Sequence, residues 1–266
     1  AEVTGNDTTT VMLRPSDWWL AWAATPGEYD ADGRCLAFSE PMIYAHGLGY
    51  DIAATEWNWN GWRGHGVDLG PGVTWRQAAA VGVGGFLNGL LRQANAIRIA
   101  NQSMLVGHGW EIAAIKLDQT GTLLYRNAQG AVTTFYNRRH GDRVLALSTA
   151  NIPLDTQPYH VGWAKPKDAV ALLDVIATRD DHTLYLHGVN RAYDNDLSAL
   201  LDVTALTRAD GGVIMHHLDA VPDDQVATAK SWTAERRQTV TMTGGSARVT
   251  FPRRSLSILE ISLREE

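Results

Sequence analysis

Cysteine is nearly missing from this 266-residue chain: Cys35 is the only one, so no internal disulfide can form and the redox compartment stays open. Positive charge is also scarce. Lys and Arg number 23 against 29 Asp and Glu, and the formal net charge of −6 argues against a nucleic-acid binder, which needs a basic face. No apolar run approaches the length of a membrane span, and the amino terminus lacks the charged-then-apolar pattern of a signal peptide. There is no Gly-x-Ser-x-Gly, no P-loop and no dinucleotide fingerprint, and no His/Cys/Asp/Glu spacing suits zinc, so no cofactor is implied. His216 and His217 alternate across a strand-like segment and cannot both face one metal ion. Internal repeats, low-complexity tracts and linkers are absent as well. The apolar fraction of 45% with 20% charged residues is that of an ordinary globular protein and argues against disorder. A first residue of Ala1 rather than Met implies that a segment has been removed.

Tryptophan, by contrast, is abundant. Six of the ten (Trp18, Trp19, Trp22, Trp57, Trp59, Trp62) fall in the first quarter. Flat apolar rings suit protein cores and the CH-rich faces of sugars alike.

Two halves of different character follow along the chain. Ser16 caps a short expected helix through Ala24, and Thr25-Pro26-Gly27-Glu28 opens a second that runs toward His46 and stops at Gly47. Tyr50 to Glu56 is a short, mainly apolar run of the kind found in buried parallel strands. Trp57 to Gly72 reads as a glycine- and tryptophan-rich loop. Thr74-x-x-Gln77 is a capping box that opens a long helix to about Gln93; Ile97–Val106 reads as helical again, and Trp110–Leu117 as another strand. This alternation is that of β/α units around a parallel sheet. Beyond about Gly141 the pattern becomes all-β, with strands expected at Arg143–Ser148, Leu173–Arg179, Thr183–Arg191, Leu200–Leu206, Val213–Leu218, Thr239–Thr243, Ser246–Phe251 and Ser257–Leu263. Asp180-Asp181 and Gly244-Gly245 supply turns between them.

The fold class implied is α/β plus all-β. Residues 1–141 form the carboxy-terminal portion of a (β/α)₈ TIM barrel, about strand seven to helix eight, and residues 142–266 an antiparallel, jelly-roll-like β-sandwich. A complete barrel needs roughly 250 residues. The missing strands would otherwise leave open edges and apolar helix faces in water, so they are expected on another polypeptide.

The chemistry centres on Ala54-Thr55-Glu56-Trp57-Asn58-Trp59-Asn60. A glutamate at the carboxyl end of a strand lies where barrel active sites are built. If buried, it needs donors, and Asn58, two residues on, is one candidate; Asn58 is also a candidate for binding substrate. A strand-end glutamate that simply meets solvent is the other reading of the same residues. Trp59 and Trp62 are candidates for lining a sugar subsite, and Tyr125, with Arg126, for contacting substrate beyond the next strand. His65 and His108 read as a solvated loop residue and a structural one.

Glu56-Trp57-Asn58 at a strand end resembles the nucleophile motif of glycoside hydrolase family 51, the α-L-arabinofuranosidases. Ala79–Val106 is similar to that family's helix pair between barrel strands seven and eight, Leu173–Arg191 to its sandwich hairpin, and Phe251–Glu260 to its last strand. The resemblance implies a hydrolase of hemicellulose-type polysaccharides acting by a retaining mechanism, with Glu56 as nucleophile and a second carboxyl roughly 5–5.5 Å away as acid/base. In the family that acid follows Gly-Asn in a Gly-Asn-Glu motif, which does not occur here, and Glu111 is not its replacement. No His-x-Tyr precedes Glu56 either; Tyr44-Ala45-His46 lies late in an expected helix. The implied protein is an exo-acting α-L-arabinofuranosidase acting on arabinose-containing oligo- or polysaccharides. It works with a companion chain or fragment that supplies strands one to six and the acid/base glutamate. Family members are often homo-oligomers. An endo-β-glycanase of the same family and a non-catalytic carbohydrate-binding subunit remain the alternatives.

Overall fold

The computed structural model describes residues 2–3, 11–12, 51–58, 75–95, 97–108, 113–157, 167–192, 194–220 and 233–263. The helices expected between Ser16 and His46 lie outside these. Glu2–Val3 (β1) and Val11–Met12 (β2) form a small antiparallel pair.

Ile52–Trp57 (β3), Trp75–Arg92 (α1) and Ile97–Gln102 (β4) make a strand–helix–strand unit whose two strands pair in parallel. The capping-box helix is thus present at the expected place. The helical reading of Ile97–Val106 is wrong: this segment is β4 followed by a bend, and the supposed helix pair is one helix and one strand. Ile97 and Ile99, two apart and β-branched, favour an extended chain, and β3 supplies the backbone partners that make it a strand. The expectation of a buried strand also fails. Ala53, Thr55 and Glu56 are exposed, because among the described residues β3 has only β4 as a neighbour.

Val106–Gly107 (β5), Ile115–Leu117 (β6) and Leu123–Arg126 (β7) then form a three-stranded sheet in that order. Asp118 closes the β6–β7 turn, its Oδ1 accepting the N–H groups of Thr120 and Thr122 at 2.8 Å each. Ala128–Asn137 (α2) follows, capped by Asn127, whose side chain accepts the Gly130 N–H at 3.1 Å while donating to the Ala113 carbonyl.

The remaining strands are Arg143–Leu145 (β8), Leu154–Gln157 (β9), Lys167–Ala171 (β10), Leu173–Arg179 (β11), Thr183–Asn190 (β12), Leu197–Asp202 (β13), Gly211–Ala220 (β14), Thr233–Met242 (β15), Ser246–Phe251 (β16) and Ser255–Ser262 (β17). Each of the eight expected strand regions overlaps one of these, and β9 and β10 are additions. Six strands form an antiparallel sheet in the order β15-β14-β17-β12-β11-β8, while β13 pairs with β16 and β9 with β10. The turn at Gly244-Gly245 needs φ values of +56° and +85°, which glycine adopts without strain, and Asp180 Oδ1 accepts the backbone N–H groups of His182 and Thr183 between β11 and β12.

The six-stranded sheet is covered on both faces. Alternation assigns the sides. Leu184 and Leu186 of β12 and Leu259 and Ile261 of β17 pack with Val249 and Phe251 of β16. On the other face Val189, Leu256, Ile258 and Leu218 belong to one buried cluster with Val83 and Phe86 of α1 and Val132, Phe135 and Tyr136 of α2. Gly84 lets α1 sit close: a Cβ there would lie 2.2 Å from Leu256 Cδ2.

Polar side chains stitch the helices to this apolar face. Asp174 of β11 is buried between Arg92, in the last turn of α1, and Arg191, whose Nη2 lies 2.6 Å from Oδ2. Burial alone would raise the Asp174 carboxyl, but the Arg191 and Arg92 guanidiniums overcome this and hold it below the ordinary value of 3.8. The Tyr136 hydroxyl donates to Asn88 Oδ1 at 2.9 Å, and its ring stacks on His187 with centroids 4.9 Å apart. Burial, with a smaller contribution from His140, pushes His187 down to about 3, so it is neutral near pH 7. Arg139, just past α2, reaches Glu235 of β15 at 2.6 Å and Glu260 of β17 at 3.0 Å, and His216 lies between the same two carboxylates.

Asp174→Ala leaves two guanidiniums without their buried partner and is expected to cost about 3–5 kcal/mol in urea unfolding. In the wild type, a folded value below the unfolded one means that this contribution is complete above the unfolded value. It is lost as pH falls through the folded value. The urea midpoint of the wild type should therefore fall more steeply below about pH 4 than that of the Asp174→Asn variant.

Candidate active site

Trp57 ends β3 and is 3% exposed, its ring tilted 48° against Phe86 of α1 with centroids 4.9 Å apart. Trp57 is buried against the helix, whereas Glu56 beside it is exposed, at a point where the register against β4 shifts. The exposed end of the strand also explains why Glu56 needs no buried donor. The other end of the unit is marked by Asp51 and Arg98, paired at 3.3 Å and both largely in solvent, where such a pair contributes little.

Asn58 is 7% exposed and tied to the neighbouring strand's exit. Its Nδ2 donates to the Ser103 carbonyl oxygen at 2.8 Å, and the Ser103 N–H donates to the Trp57 carbonyl at 2.8 Å. Met104, next in line, has φ +53°, a conformation that a non-glycine side chain adopts at a cost of order 1 kcal/mol. Its backbone C=O accepts from Ala114 at 3.2 Å and that of Leu105 from Ile115 at 2.8 Å, so the bend is held on both sides.

Tyr125 lies on β7, opposite Lys116 of β6, within the connection that leaves the carboxyl end of β4 and leads to α2. It follows the strand at Ile97–Gln102 rather than one beginning at Trp110. His108 Nδ1 lies 2.6 Å from the Asp118 carbonyl oxygen, a structural contact of the β6–β7 turn. Trp59, Trp62, His65 and Glu111 lie outside the described residues. The geometry brings Glu56, Asn58, Ser103 and Met104 to one end of a parallel strand pair, and among the described residues there Glu56 is the exposed carboxylate. Sequence reasoning missed Ser103 and Met104, because a segment read as helix has no strand exit. The Ile-x-Ile spacing was the signal that could have found it.

No protein-family model matches the chain, and no curated protein matches it in sequence. Solved structures that are similar to it in fold include glycoside hydrolases. More particularly, the chain is similar in fold to the α-L-arabinofuranosidase of Thermotoga maritima, solved with arabinose, at 18% identity over 81% of this chain and 44% of that one, with a TM-score of 0.60. The family 51 α-L-arabinofuranosidase of Thermotoga petrophila RKU-1 gives 18% identity over 80% and 44%, with a TM-score of 0.61. A bifunctional glucanase-xylanase from a metagenome library, CelM2, gives 13% identity over 98% and 40%, at 0.54. The chain spans under half the length of these proteins, and at such identities the likeness is one of fold.

Trp57→Ala is expected to destabilise the β3–α1 contact by about 3–5 kcal/mol. If Trp57 were a surface subsite residue instead, the thermal midpoint of the variant would match that of the wild type.

Proposed function

We propose that this chain is the carboxy-terminal part of a retaining glycoside hydrolase, an exo-acting α-L-arabinofuranosidase, with Glu56 as its nucleophile. The observation that carries the reading is Glu56, exposed at the carboxyl end of a parallel strand, in a chain whose fold is like that of arabinofuranosidases. On this reading, residues 1–141 are the end of a (β/α)₈ barrel and residues 142–266 a β-sandwich. Strands one to six and the acid/base glutamate come from a companion chain or fragment. The exposed Ile99 of β4, Leu105 and Val106 at the start of β5, and Leu124 of β7 support this, since large apolar side chains left in solvent call for a cover.

The chemistry then runs in two displacements. The Glu56 carboxylate attacks the anomeric carbon while the companion's acid protonates the leaving oxygen. Water, activated by the same group, releases arabinose from the glycosyl-enzyme and restores Glu56. No cofactor takes part. Trp59, Trp62 and Tyr125 are the side chains proposed to line the sugar site. A second reading, an endo-β-glycanase, is favoured by the coverage of 98% against the glucanase-xylanase. Reducing-end release from xylan or β-glucan, with no release from an arabinofuranoside, would select it.

With the companion present, Glu56→Gln should lower release of p-nitrophenol from p-nitrophenyl α-L-arabinofuranoside by about 10³-fold or more. Near-wild-type turnover by that variant ends the catalytic reading and leaves a carbohydrate-binding subunit. Intact-mass analysis of the natively purified material should reveal the companion polypeptide.

A further inference from the structure

The two residues that follow Glu56 are fastened to one residue of the adjacent strand's exit. Ser103 gives its N–H to the Trp57 carbonyl and receives the Asn58 side-chain amide on its own carbonyl, both at 2.8 Å. One hydrogen bond would leave the β3 exit free to twist about it. Two, from consecutive residues to both polar groups of one peptide position, fix distance and twist together. On the other side Trp57 is wedged against Phe86, and the residue after Ser103 is held at φ +53°, so the exit of β4 is itself constrained. Asn58 is nearly fully buried, whereas Glu56 is exposed.

Resting on the glycosidase reading above, we propose that Asn58 is a positioning residue rather than a sugar ligand: through Ser103 it holds the Glu56 carboxylate at its attack angle. A nucleophile held through its strand exit is sensitive to small shifts, and a displacement of about 1 Å is enough for a loss of order 10²-fold. Removing the amide donor should therefore act on the chemical step and not on binding of the ground state.

The test compares wild type, Asn58→Ala, Asn58→Asp and Glu56→Gln, each assembled with the companion, on p-nitrophenyl α-L-arabinofuranoside. Asn58→Ala should lower kcat by about 10–100-fold with KM within about twofold. Asn58→Asp keeps the shape but sets a carboxylate against the Ser103 carbonyl. Protonated, it donates an O–H in place of the lost N–H, and burial raises the pH at which that happens. Its kcat relative to wild type should thus recover as pH falls from 7 toward 5, a signature that a purely structural role would not give. If Asn58→Ala loses its cooperative melt, the ratio for Asn58→Asp carries the test. A raised KM at unchanged kcat would make Asn58 a sugar ligand and overturn the proposal, as would an Asp/wild-type ratio that stays flat with pH. Wild-type turnover that survives Glu56→Gln overturns the glycosidase reading itself. Turnover abolished by Glu56→Gln but indifferent to both Asn58 variants overturns the positioning role of Asn58 alone.

Discussion

The buried Asp174 carboxylate is the constraint from which the geometry of the site follows. It belongs to β11 in the six-stranded sheet, and its two cationic partners come from different layers, Arg92 from α1 and Arg191 from just past β12. Such a group is tolerated in the interior only while both partners stay in place, so it pins the last turn of α1 against the sheet. Gly84, Asn88 and Arg92 recur every four residues and form one stripe of the helix. The first gives the close approach to Leu256, the second donates to the Asp174 carbonyl at 3.4 Å, and the third pairs with its carboxylate. Phe86, two residues from Gly84 and Asn88, points the other way and receives Trp57. Helix α1 thus links the two: Arg92 near its end is held by Asp174 of the sheet, and Phe86 in its middle holds Trp57, the residue after the candidate nucleophile.

A helix with partners on opposite faces has no solvent stripe, and its sequence reflects that. Between Arg76 and Arg92 it carries no charge, which is the pattern of a buried helix rather than of an amphipathic one. This is why α1 was legible: a capping box at one end and apolar, small residues throughout leave one conformation. The antiparallel strands were legible for a related reason. Leu184, Leu186 and Gly188 alternate with Tyr185, His187 and Val189 because the sheet has two different neighbours, β13–β16 on one side and the helices on the other.

What was misread has a common cause. Ile97–Val106 carries alanine, arginine and glutamine, which favour helix locally, and only its parallel pairing with β3 makes Ile97–Gln102 a strand. That partner lies 45 residues away in sequence, beyond any local signal. The same holds for the polar interface. Asp174, Arg191, His187 and Tyr136 look like ordinary alternating residues of strands and helix until the two layers meet. A sequence reader expects an apolar face there and has no means of pairing Arg92 with Asp174 across 82 positions. Glu56, in contrast, was legible from its local context, because a carboxylate at a strand end followed by Trp-Asn needs no distant partner to be noticed.

Exposure of Glu56 bears on where catalytic power would come from in the proposed enzyme. A carboxylate in water has its charge screened and gains little from nearby dipoles, whereas the same group walled off from solvent interacts several-fold more strongly with a developing cationic centre. The rigid side of the site is already built: Trp57 on Phe86, Asn58 and the Trp57 carbonyl on Ser103, and α1 locked to Asp174. The enclosing side is not formed by β3 and β4 among the described residues. A nucleophile fixed in position but left in water can orient a sugar ring without stabilising its transition state. On the proposed reading, then, the sheet and helices described here supply orientation. On the same reading the companion would supply proton transfer and the exclusion of water, so the two parts should multiply rather than add their effects on rate.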